Sequence, residues 1–365
     1  MKKAFDYITI ISFLLVVSLV GIHLTAGPDP GFLTGERRYP AEKPSLSLKS
    51  SDSISEQING YYLDKIPFRS QLRNLKVAFA STLLFQSTVD GYRLKNGSEY
   101  QILDNWNGEY AKRNVSFLSK AAKNYYPNSR VYYSFIPDKG YYAGEINHPD
   151  LELLKDAFGE SFAEATFADV SGLIGFDSFY KTDIHLRQEC ETAIAEYICR
   201  AMNADYFDTD ELTGESIGEF RGGLSGQAAF ITKSDVMTVM HSDMTDSATA
   251  TDYLSGETVS IYDGVLFETS IDPYDVFLGG EKAVITIDNK EAEGERILVI
   301  FRDSYARSIA PLLMKSYSRI VLVDFRYIPI SYLETLSETV APDGSDVLVL
   351  LSAQTLGYSL YKPGE

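Results

Sequence analysis

The chain has 365 residues and a formal net charge of −18, because 51 acidic residues oppose 33 basic ones. This charge excludes a nucleic-acid partner, since phosphates bind basic surfaces and no basic stripe occurs in the sequence. The cysteine content excludes a cysteine-rich zinc site and a disulfide scaffold. The two cysteines, Cys190 and Cys199, lie in a predicted helix that separates them by about 13 Å along its axis, too far to pair.

The first 27 residues predict a membrane anchor. Lys2 and Lys3 precede an apolar run over 7–24, and about 20 apolar residues in a helix suffice to cross a bilayer. Basic residues before such a run favour a cytoplasmic N-terminus, so we expect a single-pass protein of the cell membrane with its C-terminal domain extracellular. The alternative is a signal peptide cleaved after Ala26, although Leu24 would then occupy a position that prefers a small residue.

Residues 28–52 predict a flexible linker, because they contain four prolines and many serine, lysine and glutamate residues. A segment of this composition cannot bury enough apolar surface to fold. The folded part is predicted to span 53–365. That length suffices for one large domain or two small ones, and one is favoured because no second linker of similar composition appears.

The spacing of apolar residues predicts the helices and strands. Two helices are expected over 54–80, joined at Pro67. Further helices are expected over 151–158, 188–202 and 305–316. Strands are expected over 131–136, 283–287, 297–301, 320–325 and 347–351, with antiparallel strands of an insertion over 228–232, 236–240 and 259–262.

The strands of the last third are apolar throughout and are separated by helices. Such strands are typical of a parallel sheet that is covered on both faces, so the predicted fold class is α/β. Functional groups in these sheets collect at the carboxyl ends of the strands. The loops after Phe301 and Phe325 are therefore the candidate positions.

Ser304 lies where the strand ending at Phe301 runs into a helix. A serine in this position presents its hydroxyl at the carboxyl edge of the sheet, and amides at the start of the helix can stabilise an oxyanion. The alternative is structural. Serine and aspartate are preferred N-cap residues, so either Asp303 or Ser304 can simply cap the helix.

A serine nucleophile needs a base, which is most often histidine. Of the four histidines, His23 lies in the anchor, and His148 and His241 lie in polar surroundings. His185 follows Asp183 by two residues, so this carboxylate can accept the ring N–H and fix the tautomer, as in a catalytic triad. The alternative is that Asp183 caps a helix and His185 lies on the surface.

Five segments together carry a resemblance to a family. They are 62–69 (YLDKIPFR), 136–139 (IPDK), 183–186 (DIHL), 302–306 (RDSYA) and 324–327 (DFRY). In these segments and their order the sequence resembles the DHHW-motif proteins of Gram-positive bacteria and, more remotely, the alginate O-acetylation proteins. Ser304 follows His185 by 119 positions. The family motif has His and Trp where this chain has Ile184 and Leu186.

The resemblance implies an SGNH-hydrolase-like three-layer α/β fold with a mostly parallel central sheet, in which the order of the catalytic residues is circularly rearranged. It implies Ser304 as the nucleophile, His185 as the general base and Asp183 as the carboxylate that orients the base. No metal ligand set accompanies these residues, and no metal is expected.

Arg326, Arg302 and Tyr305 are further candidates for holding an oxyanion or the substrate. Arg326 lies at the end of the strand that follows the helix of the nucleophile. Its alternative role is a structural ion pair with Asp303 or Asp324. Arg302 and Tyr305 are candidates through their position beside the nucleophile.

The resemblance also implies acyl-ester chemistry on an extracellular glycan, namely O-acetyl transfer to, or removal from, a cell-wall or exopolysaccharide sugar. We expect an acyl-serine intermediate and no cofactor. The expected partners are the glycan substrate, the membrane and an integral membrane acyltransferase that supplies acyl groups. The rival interpretation is a non-catalytic cell-surface protein that binds glycan or serves in assembly. Nucleotide binding is disfavoured, because no strand-to-helix turn carries a glycine-rich phosphate loop.

Overall fold

The computed structural model describes residues 2–45 and 53–360. Residue 1 of the predicted anchor, 46–52 of the predicted linker and 361–365 of the predicted domain lie outside the described residues. The chain divides into two compact units, of which the first comprises Met1–Asp90 with Gly223–Ile231 and the second Gly91–Gly222 with Thr232–Glu365. The boundaries predicted for anchor, linker and domain remain predictions.

The first unit is mainly helical. Its first helix, Lys2–Ala26, contains the 22-residue apolar segment Phe5–Ala26, which is long and apolar enough to cross a membrane. The two helices predicted on either side of Pro67 are confirmed as Ile54–Lys65 and Arg69–Thr82. The unit also contains the 3-10 turn Thr34–Glu36, the strand Thr88–Val89 and the helix Gly223–Ala228.

Part of the predicted linker contacts these helices. The guanidinium of Arg38 donates to both carboxylate oxygens of Asp64, at 2.8 and 2.6 Å, and the amide of Ala41 donates to the same carboxylate at 2.9 Å. An isolated antiparallel bridge between Leu33 and Arg38 closes the chain segment that contains the 3-10 turn Thr34–Glu36. Charged and backbone hydrogen bonds, rather than apolar burial, thus hold this part of the chain.

The second unit is built on an eight-stranded sheet. Its strands in chain order are β1 (Val131–Ile136), β2 (Thr166–Phe167), β3 (Thr249–Asp252), β4 (Thr258–Val259), β5 (Val284–Asp288), β6 (Ile297–Arg302), β7 (Arg319–Val323) and β8 (Asp346–Ser352). They lie in the order β2-β1-β8-β6-β7-β5-β3-β4. The first five strands in this order pair with one another in parallel. The pairings of β7 with β5, of β5 with β3 and of β3 with β4 are antiparallel. The predicted α/β class with a mostly parallel sheet is confirmed.

Two hydrophobic cores cover the faces of the sheet. Along β6, Leu298 and Ile300 belong to one core and Val299 and Phe301 to the other, and all four are fully buried. The first core includes side chains of the helix Gln188–Ala201 and of 306–316, and the second includes those of the helices Gly108–Tyr125, Leu151–Ser161 and Tyr332–Thr339. Positions of a strand that are buried on both faces of the sheet are typically apolar, as residues 297–301 of β6 are, and only its last residue, Arg302, is charged.

The remaining elements of the second unit are short. They are the hairpin strands Tyr92–Lys95 and Ser98–Gln101, the paired strands Thr213–Phe220 and Asp235–His241, the helices Lys139–Ala143, Asp243–Ser247, Gly264–Thr269 and Ala353–Leu356, and the 3-10 turns Ser171–Leu173, Phe176–Ser178 and Pro273–Val276.

Four predicted elements differ from the structure. The segment 259–262 is strand only at Val259, where β4 pairs with β3 in the eight-stranded sheet, and Tyr262 forms an isolated bridge with Phe277. The segment 228–232 is not a strand, because Ala229 adopts a left-handed backbone with φ of 58° that interrupts extended structure. The run 283–287 does form a strand, β5, but it is antiparallel to β7, and apolar periodicity carries no information on direction. The helix predicted after Ser304 changes into the 3-10 segment Ala310–Ser316, where Pro311 lacks an N–H to donate.

Candidate active site

Three side chains that were predicted to form a triad lie in hydrogen-bond contact. His185 Nε2 lies 2.8 Å from Ser304 Oγ, and His185 Nδ1 lies 2.6 Å from Asp183 Oδ1. Because a carboxylate only accepts hydrogen bonds, Nδ1 carries the proton, and Nε2 is left to accept the hydroxyl hydrogen of Ser304. A general base needs this tautomer.

The turn after β6 positions Ser304. Asp303 Oδ1 accepts the amide of Tyr305 at 3.1 Å, and Asp303 Oδ2 accepts the amide of Ser352, at the end of β8, at 2.8 Å. The buried carboxylate therefore ties the turn to the neighbouring strand. Neither of the two predicted capping residues caps the helix Ala306–Ile309, whose N-cap is Tyr305, and the hydroxyl of Ser304 contacts His185.

Asp183 and His185 lie in a loop that is closed by a backbone bridge between Phe179 and Leu186. Asp183 Oδ1 also accepts the backbone amide of His185 at 3.1 Å, an Asx-type turn that holds the two side chains together. Both side chains are almost fully buried. Leu186, which replaces the tryptophan of the family motif, is fully buried in the core that contains the helix Gln188–Ala201.

Two charged side chains from other segments hold this loop. The carboxylate of Asp235 accepts the amides of Lys181 and Thr182, each at 2.8 Å, and the hydroxyl of Thr182 at 2.6 Å. Lys139 Nζ donates to three backbone carbonyls of the loop at 2.6, 3.1 and 3.3 Å. Burial lowers the pKa of Lys139 to about 8, an effect that the nearby charge of Asp183 opposes.

Gly222 lies against the carboxylate of the triad. A Cβ atom at this position would lie 2.3 Å from Cβ and Oδ2 of Asp183 and 2.6 Å from the carbonyl oxygen of Thr182. The amide of Gly222 donates to the hydroxyl of Thr182 at 2.9 Å. Any side chain here would have to push Asp183 away from His185.

The imidazole of His185 stacks on the ring of Tyr274. The ring centroids are 3.8 Å apart and the planes differ by 9°. Tyr274 is fully buried, so its ring is a fixed surface that restricts rotation of the imidazole. The face of an aromatic ring also attracts a cation, which favours the imidazolium that forms when His185 takes a proton.

Tyr274 is held by a buried hydrogen-bonded chain. Its hydroxyl lies 2.6 Å from Ser308 Oγ, which lies 2.9 Å from Glu191 Oε1. Burial raises the pKa of Glu191 well above its ordinary value, the hydrogen bond from Ser308 opposes this shift, and Glu189 adds to it. The hydroxyl of Ser308 donates to Glu191 Oε1, and the carbonyl of Tyr305, at 3.2 Å, is its alternative acceptor.

Arg326 and Arg302 converge on Asp324. Arg326 donates to this carboxylate from Nε at 2.9 Å and from Nη2 at 2.6 Å, so its predicted alternative, a structural ion pair, is formed. Arg302 Nη1 lies 3.4 Å from the same carboxylate. Complete burial lowers the pKa of Arg302 to about 10. An oxyanion role for either arginine stays a prediction.

Tyr305 lies beside the base. Its hydroxyl donates to the carbonyl of Ile184 at 2.6 Å, and its ring centroid is 5.0 Å from that of His185. Burial raises the pKa of Tyr305 well above its ordinary value, so the hydroxyl keeps its proton and remains a donor. In this geometry Tyr305 braces the loop of Asp183. Its predicted role toward substrate stays a prediction.

Sequence reasoning missed four residues that shape the site. Tyr274, Asp235 and Gly222 carry no local motif, and they reach the triad only through the fold. Lys139 entered the sequence analysis only as part of the family-like segment 136–139. Lysine and aspartate are usually surface residues, so the sequence alone does not indicate that Lys139 and Asp235 are buried and bind the loop.

Solved structures share this fold. A DHHW family protein from Eubacterium siraeum matches with a TM-score of 0.60 and 16% identity, over 74% of this chain and 93% of its own. The chain shares its fold with a DHHW family protein. PatB1 from Bacillus cereus, solved with a sulfonyl adduct, matches with a TM-score of 0.57 and 16% identity over 74% of this chain and 97% of PatB1.

A second structure of PatB1 matches with a TM-score of 0.52 and 17% identity, over 75% of this chain and 98% of PatB1. No family model matches the sequence, and no curated protein matches it. The predicted resemblance to DHHW-motif proteins is confirmed at the level of the fold.

Replacing Gly222 with alanine is expected to displace Asp183 and to lower the free energy of unfolding by about 1 to 3 kcal/mol, the usual cost of an overpacked core. Chemical denaturation of the full chain in detergent measures the change. Gly264→Ala is the control, because a Cβ atom there meets nothing within 4 Å. Equal stabilities of the two variants would contradict the close approach of Gly222 to Asp183.

Replacing Glu191 with glutamine is expected to change the pH dependence of stability. A carboxyl whose pKa is raised on folding stabilises the protein below its unfolded pKa, and this contribution falls as pH rises toward the folded pKa, by about 1.4 kcal/mol per pH unit. Glu191→Gln should match wild type near pH 4 and become the more stable of the two as pH rises above 5. Unfolding curves from pH 4 to 9 test this.

The control for this experiment is Glu160→Gln, because Glu160 is exposed and its charge is solvated. That variant should keep the wild-type slope of stability against pH. A wild-type slope in Glu191→Gln would show that Glu191 is ionised in the folded protein, contrary to the raised pKa that its burial causes.

Proposed function

We propose that the chain is a serine acyl-ester enzyme, an O-acetyltransferase or acetylesterase that acts on a glycan outside the membrane. The observation that carries the proposal is the 2.8 Å contact between His185 Nε2 and Ser304 Oγ, with Asp183 at 2.6 Å from the other ring nitrogen. A hydroxyl in contact with an oriented imidazole is the arrangement that makes serine nucleophilic.

In the proposed mechanism, Ser304 Oγ attacks the carbonyl carbon of an acyl ester while His185 takes the hydroxyl proton. The tetrahedral intermediate then breaks its bond to the alcohol, which leaves with the proton from His185, and the acyl group stays on Ser304. A sugar hydroxyl or water next attacks the acyl-serine, and the proton passes through His185 back to Ser304. Asp183 and the ring of Tyr274 stabilise the imidazolium in each step.

The proposed acceptor is a hydroxyl of a cell-wall or exopolysaccharide sugar, and the proposed source of acyl groups is an integral membrane acyltransferase. The sequence resemblance to alginate O-acetylation proteins supports this substrate class. The apolar helix Phe5–Ala26 supports a location at the membrane, with the second unit on its outer side. The reaction cycle requires no cofactor.

The rival function, a glycan-binding or assembly protein that retains the fold, rests on Ile184 and Leu186 in place of the family residues. Leu186 is fully buried and packs in the core, so its identity changes a packing contact and leaves the hydrogen bonds of the triad intact. The close contact of His185 with Ser304 favours the enzyme.

Replacing Ser304 or His185 with alanine is expected to lower hydrolysis of p-nitrophenyl acetate by at least about 1000-fold, because removal of either residue disables the triad as a unit. The rate is measured on the full chain in detergent. Ser331→Ala and His148→Ala are the matched controls and should keep wild-type rates, since Ser331 makes no capping bond and His148 lies in a separate loop.

Covalent labelling gives a second measure that does not depend on the substrate. A sulfonyl fluoride should modify the wild-type chain at Ser304, as detected by mass spectrometry of the modified peptide, and should leave Ser304→Ala unmodified. An active Ser304→Ala variant, or a wild type that neither hydrolyses the ester nor reacts with the sulfonyl fluoride, would contradict the proposed function and favour the binding protein.

A further inference from the structure

The helix Arg69–Thr82 carries a stripe of exposed apolar side chains. Their exposed fractions are 77% for Phe68, 49% for Leu72, 66% for Leu75, 50% for Phe79 and 65% for Leu83. Large apolar residues at spacings of three and four lie on one side of a helix. Leu84 and Phe85 extend the stripe beyond the end of the helix and are 54% and 87% exposed. We call these seven residues the apolar stripe.

The side of the helix that faces the rest of the first unit is different. Val77 and Ala80 are buried there, and Arg73 donates to the carbonyls of Gly226 and Gln227 at 2.9 and 2.5 Å. These contacts fix the rotation of the helix about its axis. The apolar stripe is therefore held on the outer side of the helix. Seven large apolar side chains exposed together mark an interaction site.

The contacts of Asp29 place this helix beside the membrane. Asp29 follows Ala26, the last residue of the apolar helix, by three positions, so it lies within about 11 Å of the point where the chain leaves the bilayer. Asp29 pairs with Lys65 Nζ at 2.9 Å and accepts a hydrogen bond from Tyr61. Phe68, the first residue of the stripe, follows Lys65 by three positions.

A second set of ion pairs reinforces this attachment. Glu36 pairs with Arg69, with Arg73 at 3.0 Å and with Arg38 at 3.0 Å, and Arg38 also binds Asp64. The segment that follows the membrane helix is thereby attached to the helices Ile54–Lys65 and Arg69–Thr82. The apolar stripe stays close to the bilayer rather than at the end of a free tether.

The charge of this region also suits a lipid surface. Residues 66–89 contain no aspartate or glutamate, in a chain whose formal net charge is −18. The basic residues within this range are Arg69 and Arg73, which pair with Glu36, and Lys76, which pairs with Asp90. The feature that suits a lipid surface is therefore the absence of acidic residues from the helix. Amphipathic helices that lie on membranes combine a broad apolar face with basic rather than acidic residues.

We propose that the apolar stripe lies in the interface of the bilayer from which the N-terminal helix emerges, so that the first unit is attached to lipid by a second, surface-bound helix. The inference rests on Phe5–Ala26 being a membrane helix and is independent of the proposed chemistry. The bilayer is the occupant because Asp29 and Lys65 join the start of the stripe to the end of the membrane helix. A second copy or another protein has no such link.

The test uses the full chain with Cys190 and Cys199 replaced by alanine, reconstituted in vesicles of phosphatidylcholine and phosphatidylglycerol. An environment-sensitive fluorophore is attached in turn to Leu75→Cys, Phe79→Cys and Asn74→Cys. Asn74 is the matched control, because it is exposed and lies about 100° around the helix from Leu75. Leu15→Cys, in the middle of the apolar helix, reports whether the chain is inserted.

Labels on the stripe should be quenched by brominated lipids about twofold more strongly than the label at Asn74, since interfacial helices bury their apolar face about 5 to 10 Å deep. The label at Leu15 should be quenched most. Equal quenching at Leu75 and Asn74 would overturn the proposal, as would energy transfer between stripe labels on different chains without lipid quenching, which indicates a dimer. An unquenched label at Leu15 would show that Phe5–Ala26 is not inserted in the bilayer, and this result would also overturn the proposal.

Discussion

The parallel pairing of β6 with β7 and β8 is the constraint on which the candidate site depends. Parallel strands bring their carboxyl ends to one edge of the sheet, so the turn after β6 lies beside the turn after β8. Asp303 uses this geometry when its two carboxylate oxygens join the amides of Tyr305 and Ser352. The position of the Ser304 hydroxyl is therefore fixed by a turn whose flanking strand, β6, is buried in the core.

The base is positioned by a different kind of interaction. The loop of Asp183 and His185 has little regular structure of its own, and its backbone groups bind the buried charges of Asp235 and Lys139. Charged hydrogen bonds are stronger than neutral ones, and a buried charge without its partner is costly. Such a loop has few alternative conformations, which is what a hydrogen-bonded triad requires.

Local sequence patterns were sufficient for the parts of the fold that repeat locally. The apolar strand before Ser304 and the spacing of Asp183 and His185 made these three residues candidates, and the resemblance to the DHHW-motif proteins favoured them over the structural alternatives. The structure brings the three together. The stacking of Tyr274 on His185 has no local pattern, because it depends on where two distant segments pack. Strand direction in β5 was equally invisible, since burial on both faces gives the same apolar run in either orientation.

In the proposed mechanism, the choice between transfer and hydrolysis depends on whether a sugar hydroxyl or water reaches the acyl-serine first. His185 is only 6% exposed and has the rings of Tyr274 and Tyr305 beside it, so little of its imidazole is accessible to solvent. A bound sugar hydroxyl competes with water through its orientation, because effective molarities of aligned groups reach about 10⁵ M or more. The low exposure of His185 therefore favours transfer only when a bound sugar places its hydroxyl beside the imidazole. Without a bound sugar, the proposed acyl-serine is hydrolysed by water.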